Sequence, residues 1–251
     1  MKIGLIGSGA MARGLALGWR QPVLCTDIEP ERARALAEEV GGQAVGSNAE
    51  LAERADLVVL CHKPAQLQSV ATEAARHARA VVSILGGTPL ADVKAAYPDR
   101  PVYRVLPSTP VEVRQGAVIL AADESSGHPI LDDEVRELFG ELGTLVELDD
   151  ALVDVAMGLM SNAPAYYALV VEAQVDAGVR RGIPARQASE MVVQTMAGTA
   201  ELLRRRDYDT LGARRAVTSP GGSTARGLDA LERGGVRAAF SSAMDAILRT
   251  G

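Results

Sequence analysis

The sequence predicts an α/β protein, with an N-terminal doubly wound, mostly parallel sheet followed by an all-α C-terminal domain. Three observations lead there. Short, near-continuous apolar runs alternate with helical stretches through residues 1–149. These runs lack the apolar–polar alternation of a half-exposed sheet, so they suit strands covered on both faces. Strand-like runs then cease near Leu148-Asp149-Asp150, and apolar residues recur at helical spacing to the end of the chain.

The strand runs fall at residues 2–6, 23–26, 57–61, 81–85, 102–106 and 117–121. Helical stretches occupy 30–40 and 65–77 between them. Pro30 belongs in the first turn of its helix, where a missing N–H costs nothing. In the second half Tyr166, Leu169, Val170, Ala173 and Ala177 keep helical spacing, as do Met196, Ala200 and Leu203. Gly182, Pro184, Gly212, Pro220 and two Gly-Gly pairs punctuate these helices. The expected division is a dinucleotide-binding domain over 1–149 and a helical substrate and dimerisation domain over 150–251. The second domain is small and apolar on more than one face, so it is expected to bury its surplus surface against a second copy of the chain.

Composition narrows the function classes. The chain has 251 residues, a net charge of −6 and 47% hydrophobic residues. That hydrophobic content suits a buried core, and the acidic balance argues against nucleic acid or anionic membrane as partners. No apolar run approaches the ~20 residues that span a bilayer. The N-terminus opens directly on a strand-like run without a basic, apolar and cleavable leader, so a cytoplasmic location is expected. Cys25 and Cys61 are assigned to the second and fourth strands, with the first strand between them, and free thiols are expected.

The first turn carries the firmest motif. Gly7-Ser8-Gly9-Ala10-Met11-Ala12 follows a strand and opens a helix. The first glycine permits the tight turn, the second lets the backbone approach a pyrophosphate, and the small third residue lets helix pack on strand. The helix N-terminus adds free N–H groups and the positive end of its dipole. Asp27 ends the second strand about 20 residues on, as the dinucleotide fingerprint requires. The N-terminal sheet is therefore of Rossmann type, and the expected cofactor is NAD(P)H. Asp27 would accept hydrogen bonds from the adenosine ribose, which favours NAD, or it would simply cap the next helix. Arg32 and Arg34 lie within that helix, so the choice between NADH and NADPH stays open.

A second glycine-rich element, Ser219-Pro220-Gly221-Gly222-Ser223-Thr224, precedes a helical run over 225–233. Consecutive N–H groups there form an anion nest suited to a substrate carboxylate, or Ser223 or Thr224 merely caps the helix. The three histidines (His62, His77, His128) and three lysines (Lys2, Lys63, Lys94) all lie in the first half. A hydroxy-acid dehydrogenase generally draws a proton-transferring His or Lys from its substrate domain. The polar candidates of this domain are instead Ser161, Asn162, Tyr166, Tyr167, Glu172, Thr218 and Thr224. An imine fits that set, because a protonated C=N already accepts hydride well. Arg204-Arg205-Arg206, near a helix C-terminus, reads as a solvated face favoured by the dipole.

Val217-Thr218 with the Ser219–Thr224 loop, Ile6-Gly7-x-Gly9-x-Met11-Ala12, Lys63-Pro64, Pro107-Ser108-Thr109-Pro110, Pro164-Ala165-Tyr166 and Asp176-Ala177-Gly178-Val179 together resemble the pyrroline-5-carboxylate reductase family over essentially the whole chain. The resemblance implies reduction of the cyclic imine 1-pyrroline-5-carboxylate to proline by NAD(P)H. It also implies a helical dimerisation domain, giving a homodimer or a larger homo-oligomer. By the same resemblance, Ser219, Gly221, Gly222, Ser223 and Thr224 bind the substrate carboxylate, Thr224 faces the ring nitrogen as the catalytic hydroxyl, and Asn162 lies near the pocket. Gly7, Ser8, Gly9, Ala10, Met11 and Asp27 hold the cofactor, and His62, Lys63, Pro64 and Ser108 border its nicotinamide end. Three segments depart from the family pattern: Ser108 stands for Asn, Met160-Ser161-Asn162-Ala163 for Ser-Gly-Ser-Gly, and His62 for a small apolar residue. His62 is read as a proton donor at the cofactor face or, more simply, as a strand-end histidine with a local hydrogen bond. Two alternatives stay beside the leading reading: a reductase of another small carboxylated cyclic imine or keto acid, and a non-catalytic dinucleotide sensor.

Overall fold

The structure, a computed structural model, describes residues 1–123 and 128–248. The chain divides into two compact units, Met1–Pro164 and Ala165–Gly251.

The first unit is built on one sheet of eight strands: β1 (Ile3–Ile6), β2 (Leu24–Thr26), β3 (Gln43–Ala44), β4 (Leu57–Leu60), β5 (Val81–Ser83), β6 (Val102–Pro107), β7 (Gly116–Ala121) and β8 (Gly143–Leu148). Their order is β3-β2-β1-β4-β5-β6-β7-β8. All neighbours run parallel except β6 and β7, which pair antiparallel. The six apolar runs are β1, β2 and β4 to β7. The chain crosses over through α1 (Ala10–Trp19), α2 (Pro30–Val40), α3 (Asn48–Arg54), α4 (Leu67–Ala74), α5 (Leu90–Ala96) and α6 (Pro129–Gly140).

Consecutive strand residues point to opposite faces, and both faces are apolar here. Ile3 and Leu5 of β1, with Leu57 and Val59 of β4, share a core with Leu15, Leu36 and Phe139 from α1, α2 and α6. Ile6, Val58 and Leu60 meet Leu51, Val70 and Val93 from α3, α4 and α5 on the other face. Trp19 closes the first core. Its ring lies edge-on to Phe139 at 5.4 Å, and its Nε1–H donates to the Leu138 carbonyl at 2.9 Å. Cys25 and Cys61 are free thiols, and β1 separates β2 from β4.

A third cluster sits under β6 and β7, where Leu106, Ile119 and Ala121 cover Val153, Ala156 and Met160 of α7 (Asp150–Met160). The α7 helix is therefore packed within the first unit. The strand pattern ends at residue 149, but the packing division falls at 164/165. A buried cation adds to this attachment. Arg104 of β6, with its side chain 1% exposed, meets Asp150 at 2.8 Å and Asp154 at 2.6 Å. The same carboxylates accept the Leu90 and Gly87 amides, at 3.1 and 3.3 Å. Arg104 thus ties α7 to both the sheet and the β5–α5 loop.

The second unit takes in α8 (Ala163–Val179), a helix that begins just before the division, with α9 (Ala185–Arg205), α10 (Thr210–Ala216), α11 (Ser223–Arg233) and α12 (Val236–Leu248). Among its described residues only Ala188 is buried. Arg204 and Arg205 both pair with Glu201 one turn earlier, as a solvated helical face does.

Candidate active site

The turn after β1 is shaped for a phosphate. Gly7 takes φ +99°, and its N–H donates to the Thr26 carbonyl at 2.9 Å. A Cβ on Gly7 would lie 2.7–2.8 Å from the backbone of Cys61 and His62, so any side chain there would push β1 away from β4. Gly9 is the N-cap of α1, and a Cβ on it would meet nothing within 4 Å. That open space is the wall of a cleft of about 970 Å³, a size suited to a dinucleotide. No side chain caps α1, and its first turn holds no acid. Its leading N–H groups and dipole are therefore available to an anion. Ala12, 1% exposed, supplies the small contact between helix and sheet. The residues present fit a bound pyrophosphate.

Asp27 does more than either sequence reading expects. One carboxylate oxygen accepts the Ser8 amide at 2.7 Å, and the other accepts the Glu29 amide at 2.9 Å. The side chain thus joins the glycine turn to the β2–α2 loop. It is not a helix cap: the N-cap of α2 is Glu29, which has no side-chain cap bond. Pro30 stands at the helix start as expected.

The cleft brings together Gly7, Gly9, Asp27, His62 and Lys63, with Arg32 and Arg34 on the same wall. Pro64 lines a separate, shallower hollow with Gly87 and Thr88. His62 makes the local bond, with Nδ1 2.9 Å from the Lys63 carbonyl. Burial pushes its pKa down, and this hydrogen bond opposes the shift only in part. A neutral ring with the proton on Nδ1 leaves Nε2 as a buried lone pair with no partner among the described residues. In that form His62 has no proton to donate from Nε2.

Ser108 is engaged elsewhere. Its hydroxyl donates to the Ala117 carbonyl at 3.0 Å and accepts the Ala117 amide at 2.9 Å, prolonging the β6–β7 pairing. Its hydroxyl proton is thus already committed within the turn it opens. Asn162 follows α7, and its amide donates to the Met157 carbonyl at 3.2 Å. Neighbouring Ser161 donates to the Pro107 carbonyl at 3.4 Å. Neither Ser108 nor Asn162 lines the cleft.

Asn48 and Glu73 also line the cleft, and the sequence pattern does not point to them as ligand-facing. Thr26 Oγ1 donates to Asn48 Oδ1 at 2.7 Å, and Asn48 Nδ2 donates to Glu73 at 2.9 Å. The available signal was Ser47 three residues before Glu50, which marks a helix start beside the cleft.

In the second unit the glycine loop is a tight turn, with the Gly222 N–H on the Ser219 carbonyl at 3.0 Å. Pro220 and Gly221 hold its middle positions, and Gly221 takes φ +68°, as a type II turn requires. Capping by Ser223 or Thr224 is not realised. Gly222 is the N-cap of α11, no side chain caps the helix, and its first turn holds no acid. Arg226 donates to the Gly221 carbonyl and braces the turn from behind. The Thr218 hydroxyl is taken by the Arg214 carbonyl at 2.6 Å, whereas Thr224 is half-buried at the helix start.

This sheet order and its glycine turn define a dinucleotide-dependent oxidoreductase of Rossmann type with an appended helical domain. Comparison with known proteins is more specific. Residues 150–251 match the family model for pyrroline-5-carboxylate reductase dimerisation. Residues 2–87 match that for NADP oxidoreductase, coenzyme F420-dependent. The chain is 33% identical to the pyrroline-5-carboxylate reductase of a Synechocystis species, covering 99% of this chain and 96% of the relative. It is similar to the Streptococcus pyogenes 1-pyrroline-5-carboxylate reductase structure, with a TM-score of 0.90, 30% identity and coverage of 98% and 96%. It is also similar to the Plasmodium falciparum pyrroline carboxylate reductase solved with NADP bound, with a TM-score of 0.86, 25% identity and coverage of 98% and 95%. The chain belongs to the pyrroline-5-carboxylate reductase family.

Proposed function

We propose that this protein reduces 1-pyrroline-5-carboxylate to L-proline with NAD(P)H. Family membership over the whole chain supports the reaction. The observation that carries the site is the uncapped, acid-free nest at the start of α11. The amides of Ser223 and Thr224 at the head of α11, beside the Ser219–Gly222 turn, hold the substrate carboxylate through hydrogen bonds strengthened by its charge. The Thr224 hydroxyl bonds the ring nitrogen and keeps the imine oriented. Gly7, Gly9 and the first amides of α1 hold the pyrophosphate, and Asp27 addresses the adenosine ribose. When bound, the reduced nicotinamide supplies the hydride to the imine carbon, and the nitrogen keeps its proton as the product amine. His62, neutral at its buried Nε2, shapes the wall and moves no proton.

The test is a turnover assay with 1-pyrroline-5-carboxylate, following dinucleotide oxidation and proline formation together. Absence of proline with either dinucleotide overturns the proposal. Thr224→Ala is expected to lower kcat at least tenfold, and Thr224→Ser to recover most of it. Dinucleotide Kd should stay within twofold, since α1 and its turn are untouched. Unchanged turnover in Thr224→Ala removes the assigned role and favours a site elsewhere. A second substrate, another small carboxylated cyclic imine, is favoured by Met160-Ser161-Asn162, where the family pattern has smaller residues. The highest kcat/KM across five- and six-membered imines decides between them.

The protein assembles, in this reading, through its helical unit as a homodimer or larger ring. No described helix is long and apolar enough to cross a membrane. Free thiols at Cys25 and Cys61 suit the reducing cytoplasm, and fractionation of cells expressing the tagged chain tests that placement.

A further inference from the structure

We propose that Asp27 makes this protein selective for NADH over NADPH. The inference rests on the reading that the cleft holds a nicotinamide dinucleotide. Three observations carry it. First, the Asp27 carboxylate is fixed. Its two oxygens accept the Ser8 and Glu29 amides at 2.7 and 2.9 Å, so it cannot rotate away from the cleft without breaking both bonds. A carboxylate has about four lone-pair positions, so two remain for the hydroxyls of an adenosine ribose. A 2′-phosphate carries only acceptors and roughly −1.5 to −2 charges, and it would stand against a charge that cannot retreat.

Second, the cations on the same wall already have carboxylate partners. Arg32 pairs with Glu29 at 2.9 Å, and Arg34 pairs with Glu31. Both pairs are exposed, and exposed pairs break readily. Turning Arg32 toward a phosphate, however, leaves Glu29 uncompensated beside that phosphate. Asp27, Glu29 and Glu31 are three carboxylates against the two guanidiniums of Arg32 and Arg34, a local sum of −1. Third, Glu73 lines the same cleft, held there by Asn48 Nδ2 at 2.9 Å. Around Asp27 the cleft is rich in acceptors for hydroxyl groups and its guanidiniums are committed, and Lys63, beyond β4, is the lining cation with no carboxylate partner among the described residues.

Equilibrium titration of the full chain with NADH and with NADPH, read by nicotinamide fluorescence and by calorimetry near 0.15 M salt, tests this without turnover. NADH is expected to bind at least tenfold more tightly. Glu29→Gln frees Arg32 without touching Asp27, and it should tighten NADPH severalfold while leaving NADH unchanged. Asp27→Ser should bring the two constants together, with circular dichroism verifying its fold. Wild-type protein that binds NADPH as tightly as NADH overturns the proposal, as does an unchanged ratio in both variants. Binding of neither dinucleotide overturns the cofactor reading itself and this inference with it, an outcome distinct from equal binding.

Discussion

At the end of β4 the His62 imidazole is held from one side only, by the Lys63 carbonyl 2.9 Å from Nδ1, while Nε2 is buried without a partner among the described residues. Burial lowers its pKa because a charged ring would lose its hydration. The unfolded chain protonates this ring near its ordinary value of about 6.5, and the folded chain does so only at lower pH. Between those values the unfolded state binds more protons, so stability rises with pH there. The stabilising contribution is full above about pH 6.5 and is lost as pH falls below it. The urea midpoint of the wild type should therefore climb between about pH 5 and 7. His62→Gln should flatten that climb, since His77 and His128 are common to both proteins. An equal slope in the two proteins assigns the effect to other groups. At this scale the glycines were legible in the sequence, because Gly7 takes a positive φ against the backbone that follows β4 and Gly9 leaves the cleft wall free of a side chain. The Asp27 spacing was legible too, but its two amide bonds were not, since they depend on how two loops meet. Asn48 was illegible for the same reason: Thr26 and Glu73, its partners, are distant in sequence and are brought together by the sheet.

Among the elements, the sequence pattern identified the strands covered on both faces and passed over β3 and β8. These two are the edges of the sheet. β3 has only two residues, and β8 has half-buried and exposed positions but no buried one, so neither presents the continuous apolar run of an inner strand. The change of pattern at Asp149 marks where strands end, and Asp149 itself caps α7 by accepting the Ala151 amide at 2.9 Å. That α7 stays with the sheet follows from Arg104, whose burial no local pattern announces. A guanidinium 1% exposed depends on Asp150 and Asp154 for its charge. Removing one side of a buried ion pair costs about 3–5 kcal/mol. Both carboxylates keep some access to solvent, so Arg104→Met should fall near the lower end, about 3 kcal/mol by urea unfolding. Asp154→Asn should cost less, because Asp150 still compensates the cation. If Arg104→Met costs under about 1 kcal/mol, the apolar contacts of Val153 and Met160 alone anchor the helix.

For the whole molecule, the contrast between the two units decides how the protein exists in solution. The first unit closes two cores around its sheet. The second has five helices at or beyond the division and, among its described residues, only Ala188 buried. Its large apolar side chains stay open: Leu169 is 64% exposed and Val193 55%. A helical unit that leaves such residues in water lacks the burial needed to offset the conformational entropy of its own folding. Folding and association are then expected to be one step, as in obligate dimers whose interfaces bury about 2,000 Å² or more. The helical spacing at Tyr166, Leu169 and Val170 was legible, but the partner surface was not, because one chain contains only half of the core it builds. Sedimentation equilibrium should find no monomer at micromolar concentration. Leu169→Glu together with Val193→Glu should shift the protein to monomers and lower its helical circular dichroism. The sheet unit should keep its dinucleotide affinity, since Gly7, Gly9 and Asp27 lie outside the altered helices. A double variant that stays assembled would place the contact on another face of the helices. A wild type that is monomeric and fully helical would show that the unit folds without a partner.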